Sequence, residues 1–316
     1  MFEAPPPRDA SPISLELPLD NTTVASGGTL VAATLHSNGM LRSTCIALLA
    51  RHAVGFSPNL SSIVGVDGMG VRASRSFGAG NPTRAAGSTA LHAGKVNAEE
   101  VLKSPKWPEK WPYFEDDFNR MDETSDGDFY SQPRLVYHID DSAVGALTKY
   151  YAKALPKGAD VLDICSSWVS HFPKDWEHGK RTGLGMNEFE LSKNVQLDEY
   201  KVKDLNVDPK FPFEDSSFDV VTCVVSVDYL NKPIEVFNEI RRVLRPGGKA
   251  IMSMSNRCFP TKAIQIWNQT NDMEHIFIVG SYFHYAGGFE PPASHDISPN
   301  PGRSDPMYIV EGRKKA

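Results

Sequence analysis

The run Phe218-Asp219-Val220-Val221-Thr222-Cys223-Val224-Val225-Ser226 constrains this chain more than any other feature. It is rich in β-branched residues and shows no polar alternation that would mark a solvent face, so it reads as a strand buried on both sides. Such a strand belongs in a mainly parallel sheet, whose neighbours arrive through helical crossovers. One crossover follows directly. Pro233 suits a first helical position, Ile234, Phe237, Ile240 and Leu244 recur at helical period, and Pro246-Gly247-Gly248 turns the chain into another strand over residues 249–255.

The same alternation extends both ways. A helix capped by Ser142 is predicted to residue 155, with Val144, Leu147, Tyr151 and Leu155 on one face. Strands are predicted at 159–165, 182–186 and 199–205, with a helix starting at 188–194 between the last two. Helical patterns return at 262–268 and 273–285, and a last strand at 307–312. Strands alternating with helices predict a doubly wound α/β domain with helices on both faces of the sheet. Ligands on such sheets bind beyond the carboxyl ends of the strands, where strand order reverses.

Two segments around the long strand carry a resemblance. Phe211-Pro212-Phe213-Glu214-Asp215-Ser216-Ser217-Phe218-Asp219 precedes it, and Glu239-Ile240-Arg241-Arg242-Val243-Leu244-Arg245-Pro246-Gly247-Gly248 follows the next helix. At this spacing they resemble class I S-adenosylmethionine (AdoMet) dependent methyltransferases of the small-molecule kind, over about residues 161–310. Arg134–Asp140, Leu162–Pro173 and Ser255–Ala263 also resemble a branch of that superfamily found in bacteria and photosynthetic eukaryotes. The resemblance implies a Rossmann-like methyltransferase fold with a mainly parallel seven-stranded sheet, AdoMet as cofactor, no metal, and methyl transfer to a small-molecule acceptor.

It also implies where the cofactor sits. At the first strand end the superfamily has an acid and then a glycine-rich turn. Asp163 matches the acid, but Cys165, Ser167 and Val169 stand where glycines are usual. The hydroxyls of Ser166 and Ser167 are candidates to bond the methionyl end, and Asp163 either joins them or caps the turn. Val169 falls where the turn would become helix. At the second strand end Gly185 replaces the acid that normally holds the ribose, so that contact is either missing or shifted to Asn187, with Met186 beside it in the cofactor site. Past the third strand, Asp204 and Leu205 match the adenine site, where a carboxylate accepts N–H bonds. Val225 borders the methyl donor.

Five residues are candidates for work on the acceptor. His138 with Asp140 forms a possible base pair ahead of the first helix, or else a capping loop. Asp228 and Tyr229 lie just past the long strand, where they either meet the acceptor or serve as a cap and a core aromatic. Arg257 either pairs an anionic substrate or forms a surface salt bridge.

The first 95 residues differ in kind. They hold seven Lys/Arg and five Asp/Glu, against 33 and 39 in the whole chain, so the acid excess lies entirely in the remainder. Asp67 is the only acid between Asn21 and Asn97. Serine-rich, arginine-bearing and acid-poor composition is that of an organellar transit peptide, mitochondrial or plastid. The basic amphipathic stretch 40–52 and Arg75-Ser76-Phe77 fit an address and its processing site, and a start at Met40 would make the first 39 residues an extension. Without such an address the protein is expected in the cytoplasm. The domain plan is therefore a disordered leader over 1–97, an aromatic-rich lead-in over 98–141 that packs on the domain, and the methyltransferase-like domain over 142–316.

Other classes fit poorly. A dinucleotide oxidoreductase needs GxGxxG after the first strand and an acid after the second, and this chain has neither. The net charge of −6 argues against a broad nucleic-acid footprint, and no apolar run is long enough to span a bilayer. Four scattered cysteines suggest neither a zinc site nor a disulfide scaffold. The remaining rival is a non-catalytic binding or assembly protein whose cofactor pocket has degenerated. Oligomeric state is not legible.

Overall fold

The computed structural model describes residues 97–316, and the leader, including residues 40–52 and 75–77, lies outside the described residues. The helices are α1 (Ala98–Val101), α2 (Asp126–Phe129), α3 (Asp141–Ala154), α4 (Glu188–Lys193), α5 (Pro233–Val243), α6 (Gln265–Gln269) and α7 (Asp272–Ala286). The strands are β1 (Val161–Ile164), β2 (Arg181–Gly185), β3 (Glu199–Val202), β4 (Phe218–Val224), β5 (Leu244–Met254), β6 (Ala293–Asp296) and β7 (Tyr308–Arg313).

They form one seven-stranded sheet in the order β3-β2-β1-β4-β5-β7-β6. The first five run parallel, β7 pairs antiparallel with β5, and β6 pairs antiparallel with β7. This is the expected Rossmann-like methyltransferase architecture. Strand order reverses between β1 and β4, which fixes the switch point there.

The pleat sorts the core into two layers. Leu162, Val221, Cys223, Ala250, Met252 and Val310 face one layer, together with α5 and α7. Val161, Val220, Ile251 and Ile309 face the other, against Ala143, Leu147 and Tyr151 of α3. Successive residues change layers because strand side chains alternate. The lead-in packs on α7 through Trp107, which lies 4.7 Å from Phe277 and stacks on His284, and through Trp111, which meets Tyr285 edge-on at 5.3 Å.

Three expectations are corrected. The cap of α3 is Asp140, not Ser142: its Oδ1 accepts the Ala143 N–H at 2.8 Å, and an acid beside the positive end of the helix is favoured. β6 was not foreseen, because a four-residue edge strand carries too little apolar pattern. The third departure concerns the site. No helix follows β1: residues 165–180 connect β1 to β2 as an irregular loop. Val169 therefore does not start a helix. Positive φ values at Cys165 (51°) and His171 (58°) interrupt any helical run, as does Pro173.

Candidate active site

A cavity of about 270 Å³ opens at the carboxyl ends of β1, β2, β3 and β4. Its walls include Ser166, Ser167, Gly185, Met186, Asp204, Leu205, Val225 and Tyr229, with residues 134–139 and 257–259 closing it. Of the sequence-derived candidates, Asp163, Cys165, Asn187 and His138 also reach it, whereas Asp140 and Asp228 do not line it.

The loop after β1 is held by a buried polar cluster. Both oxygens of Asp163 are engaged: Oδ2 accepts from the Ser166 and Ser170 hydroxyls and Oδ1 from Thr222, each at 2.7 Å. Asn194 donates to the Ser170 hydroxyl and the Ser167 carbonyl. Burial pushes the Asp163 pKa up to about 6 despite three hydroxyl donors that pull it down. Asp163 is thus the anchor of the loop and is saturated by protein donors. Cys165 follows it with φ 51°, a left-handed conformation that explains why glycine is usual at this position. Val225 at the end of β4 has φ 40°, an outlier for a β-branched residue, and such strain gathers at ligand sites.

The two departures from the superfamily pattern are one structural event. The Ser166 N–H donates to the Leu184 carbonyl at 3.0 Å, which brings the loop across the end of β2. A Cβ on Gly185 would overlap the Ser166 carbonyl oxygen and crowd its carbonyl carbon at 3.0 Å. The position that normally carries the ribose acid must therefore be glycine here. Asn187 does not replace that acid: its Oδ1 caps α4 through Glu190 N–H, and its amide donates to the Tyr130 carbonyl at 2.7 Å. Glu190 accepts the Ser167 hydroxyl at 2.7 Å and the Arg134 backbone N–H at 2.6 Å.

At the end of β3, Asp204 uses Oδ1 to cap a turn, accepting from Asn206 and Val207 N–H at 2.8 and 3.3 Å. Oδ2 has no hydrogen bond recorded among the described residues, and Leu205 provides an apolar wall beside it.

His138 and Asp140 do not form a pair. Asp140 faces away, exchanging two hydrogen bonds with Asp305 besides capping α3. His138 meets Phe259 edge-on at 5.4 Å, and its pKa is lowered by desolvation, which outweighs the Glu190 carboxylate. His171 is lowered further, to about 4, by burial. Both imidazoles are therefore neutral at pH 7. Tyr229 accepts the Phe259 N–H through its hydroxyl at 2.8 Å. Arg257 pairs with Asp305 at 2.7 Å.

Asp228 is buried with Oδ2 unpartnered among the described residues, and desolvation raises its pKa to about 8. Because this lies above its ordinary 3.8, the fold favours the neutral acid. Its contribution to stability is full below about pH 3.8 and drains as pH rises toward 8. Asp163 contributes with the same sign up to about pH 6, and His171 with the opposite sign between about 4 and 6.5. Between pH 6.5 and 8 the slope belongs to Asp228. Urea unfolding is expected to lose about 1.4 kcal/mol per pH unit in that window. Asp228→Asn should flatten the slope, and an unchanged slope would show that Asp228 is not neutral in the fold.

The cover over the cavity is pinned by charge, a feature the sequence reading missed. Asp126 takes Arg120 on both oxygens at 2.7 and 2.6 Å, Asn206 at 2.9 Å and the fully buried Lys262 at 3.2 Å. Lys262 also donates to the Thr124 carbonyl at 2.6 Å. The wording around Lys262 was visible in the sequence, but an isolated lysine gives no signal that it is buried.

Residues 184–252 match the family described as "Methyltransferase domain". Among curated proteins, the sterol 4-C-methyltransferase of Caenorhabditis elegans is 51% identical over 43 residues, covering 14% of this chain and 13% of that protein. The demethylmenaquinone methyltransferase of Bacillus cereus is 31% identical over 109 residues, covering 30% of this chain and 44% of its own. The chain thus spans less than half the length of these relatives. Among solved structures, the [4+2]-cyclase SpnF superposes with a TM-score of 0.42 at 15% identity, covering 60% of this chain and 92% of that one. The family match runs from the end of β2 through β3 and β4 into β5, and leaves β1 and the loop after it outside.

Proposed function

We infer that this chain, a member of the class I AdoMet-dependent methyltransferase superfamily by its domain match and strand order, transfers a methyl group to a small-molecule acceptor. The observation that carries the reading is the cavity at the β1/β4 switch point, continuous from the end of β2 to the end of β4. The residues present fit AdoMet. Asp204 keeps Oδ2 without a recorded partner beside the apolar Leu205 and Met186, as an adenine amine and ring require. The Ser166 and Ser167 backbone and Cys165 line the methionyl end, and Val225 with Ser226 borders the methyl position.

AdoMet, when bound, supplies a methyl already activated by its sulfonium. The protein's work is alignment and exclusion of water. Residues 134–139 and 257–259 close the site, and Val225 holds the β4 end in its strained turn. His138, neutral and lining the cavity, is placed to take a proton from an acceptor oxygen or nitrogen. Among the described residues no cluster of metal-binding side chains is present, and no helix is long and apolar enough to cross a membrane. The leader's composition supports an organellar address as part of this reading.

Asp204 gives the test of the cofactor's orientation. Asp204→Ala is expected to weaken S-adenosylhomocysteine binding about tenfold to a hundredfold, the scale of a lost hydrogen bond to a charged group. Calorimetric titration reads it, and unchanged affinity in a folded variant would remove Asp204 from the site. One observation favours a second reading, a binding protein without catalysis: no acid stands at the end of β2, and Asn187 is spent on capping.

A further inference from the structure

Three cations line the cavity: Arg134, Lys203 and Arg257. Lys203 is paired with Asp208 at 2.6 Å and Arg257 with Asp305 at 2.7 Å. Among the described residues Arg134 has no carboxylate within salt-bridge distance, and its Nη1 is buried without a hydrogen-bond partner. Nη2 donates to the Phe129 carbonyl at 3.1 Å. The guanidinium lies 4.7 Å from the Phe129 ring, 5.3 Å from Phe259 and 5.8 Å from Tyr130. The nearby Glu190 carboxylate is engaged by Ser167 and by the Arg134 backbone.

A buried donor left unpaired is costly, more so when charged, so a guanidinium in this state implies a partner that arrives with the ligand. Its ring cage also fixes the side of the cavity. Phe259 follows β5, contacts Tyr229 past β4 and meets His138, which places the cage beside the acceptor-side residues. The ring faces stabilise the cation, Nη2 is held by the Phe129 carbonyl, and Nη1 remains as the donor for an anion.

We propose that the acceptor carries a carboxylate on a planar aromatic or conjugated framework, received by Arg134 within the Phe129, Tyr130 and Phe259 cage. This rests on reading the cavity as a methyltransferase site. Of the three rings, Tyr130 and Phe259 line the cavity and supply apolar surface for the framework, and Arg134 supplies the counter-charge. His138 stands on the same side, within reach of the part of the acceptor that gives up its proton.

The test uses the full chain saturated with S-adenosylhomocysteine, titrated with benzoate, with its neutral analogue benzamide and with inorganic phosphate. Benzoate is expected to bind at least about tenfold more tightly than either. Arg134→Gln should erase the preference while leaving S-adenosylhomocysteine affinity within about threefold, and Arg134→Lys should restore part of it. Equal binding of benzoate and benzamide overturns the proposal, and so does tighter binding of phosphate. A loss of S-adenosylhomocysteine affinity in Arg134→Gln also overturns it, and would assign the guanidinium to the cofactor's own carboxylate. If the wild type binds no S-adenosylhomocysteine yet keeps the benzoate preference that Arg134→Gln erases, the methyltransferase reading fails and the anion site stands.

Discussion

Gly185→Asp restores the acid that related enzymes use to hold the ribose, and the expected result is loss of the fold. Any Cβ at this position collides with the Ser166 carbonyl, a backbone atom fixed by the Ser166–Leu184 hydrogen bond and by the Asp163 hydroxyl cluster. Neither side can yield cheaply, since β2 is a buried strand and the loop is pinned to Asp163 by the Ser166 and Ser170 hydroxyls. The cost is expected to exceed about 3 kcal/mol, beyond ordinary overpacking and a large share of a domain's stability. Gly145→Ala is the control: its Cβ meets nothing within 4 Å in the middle of α3, so it should stabilise by about 0.5–1 kcal/mol. Urea denaturation of both reads the contrast. A Gly185→Asp protein of wild-type stability would show that the loop does not cross β2 as described.

Removing Asp126 is expected to have the second large effect. Its carboxylate neutralises Arg120 and Lys262, and Lys262 is wholly buried. Burial alone would raise the Asp126 pKa, but the Asn206 amide and the Arg120 guanidinium outweigh it and hold it below its ordinary value. Asp126→Leu leaves a buried ammonium with Asp122 as its remaining carboxylate partner, at 3.4 Å, and should cost about 3–5 kcal/mol. Lys262→Met added to it should recover part of that loss, because the two sites interact directly. Asp126 also ties the cover to Asn206 at the end of β3. Asp126→Asn, where it folds, should therefore weaken S-adenosylhomocysteine binding as well as stability. Additive effects of the Asp126 and Lys262 substitutions would contradict a direct Asp126–Lys262 pairing.

The architecture was legible because it rests on periodic signals. The β-branched run at β4 and the apolar spacing in α5 placed the centre of the sheet and the switch point beside it, whereas Pro246-Gly247-Gly248, read as a turn ahead of the next strand, lies within β5, which already pairs with β4 at Leu244. The site was legible only as a set of positions. Asp163, Cys165 and Gly185 fall where the resemblance placed them, yet their work depends on contacts that no linear pattern records. Asp163 is saturated by hydroxyls from β4 and from its own loop. Gly185 answers to a carbonyl brought over by Ser166. The pairing of His138 with Asp140 failed because adjacency in sequence does not set direction: one residue faces the cavity while the other caps a helix and binds Asp305. The Arg134 cage joins the local pair Phe129 and Tyr130 to Phe259, more than a hundred residues on, so no local motif announces it.

The most direct test of the central claim is calorimetric titration of AdoMet and S-adenosylhomocysteine into the wild-type protein, with NAD as the control. The cavity and the Asp204 carboxylate lead us to expect micromolar binding of both sulfur nucleosides and none of NAD. A folded protein that binds neither would contradict the cofactor assignment, and would leave a methyltransferase fold whose pocket, without the ribose acid, has given up its ligand.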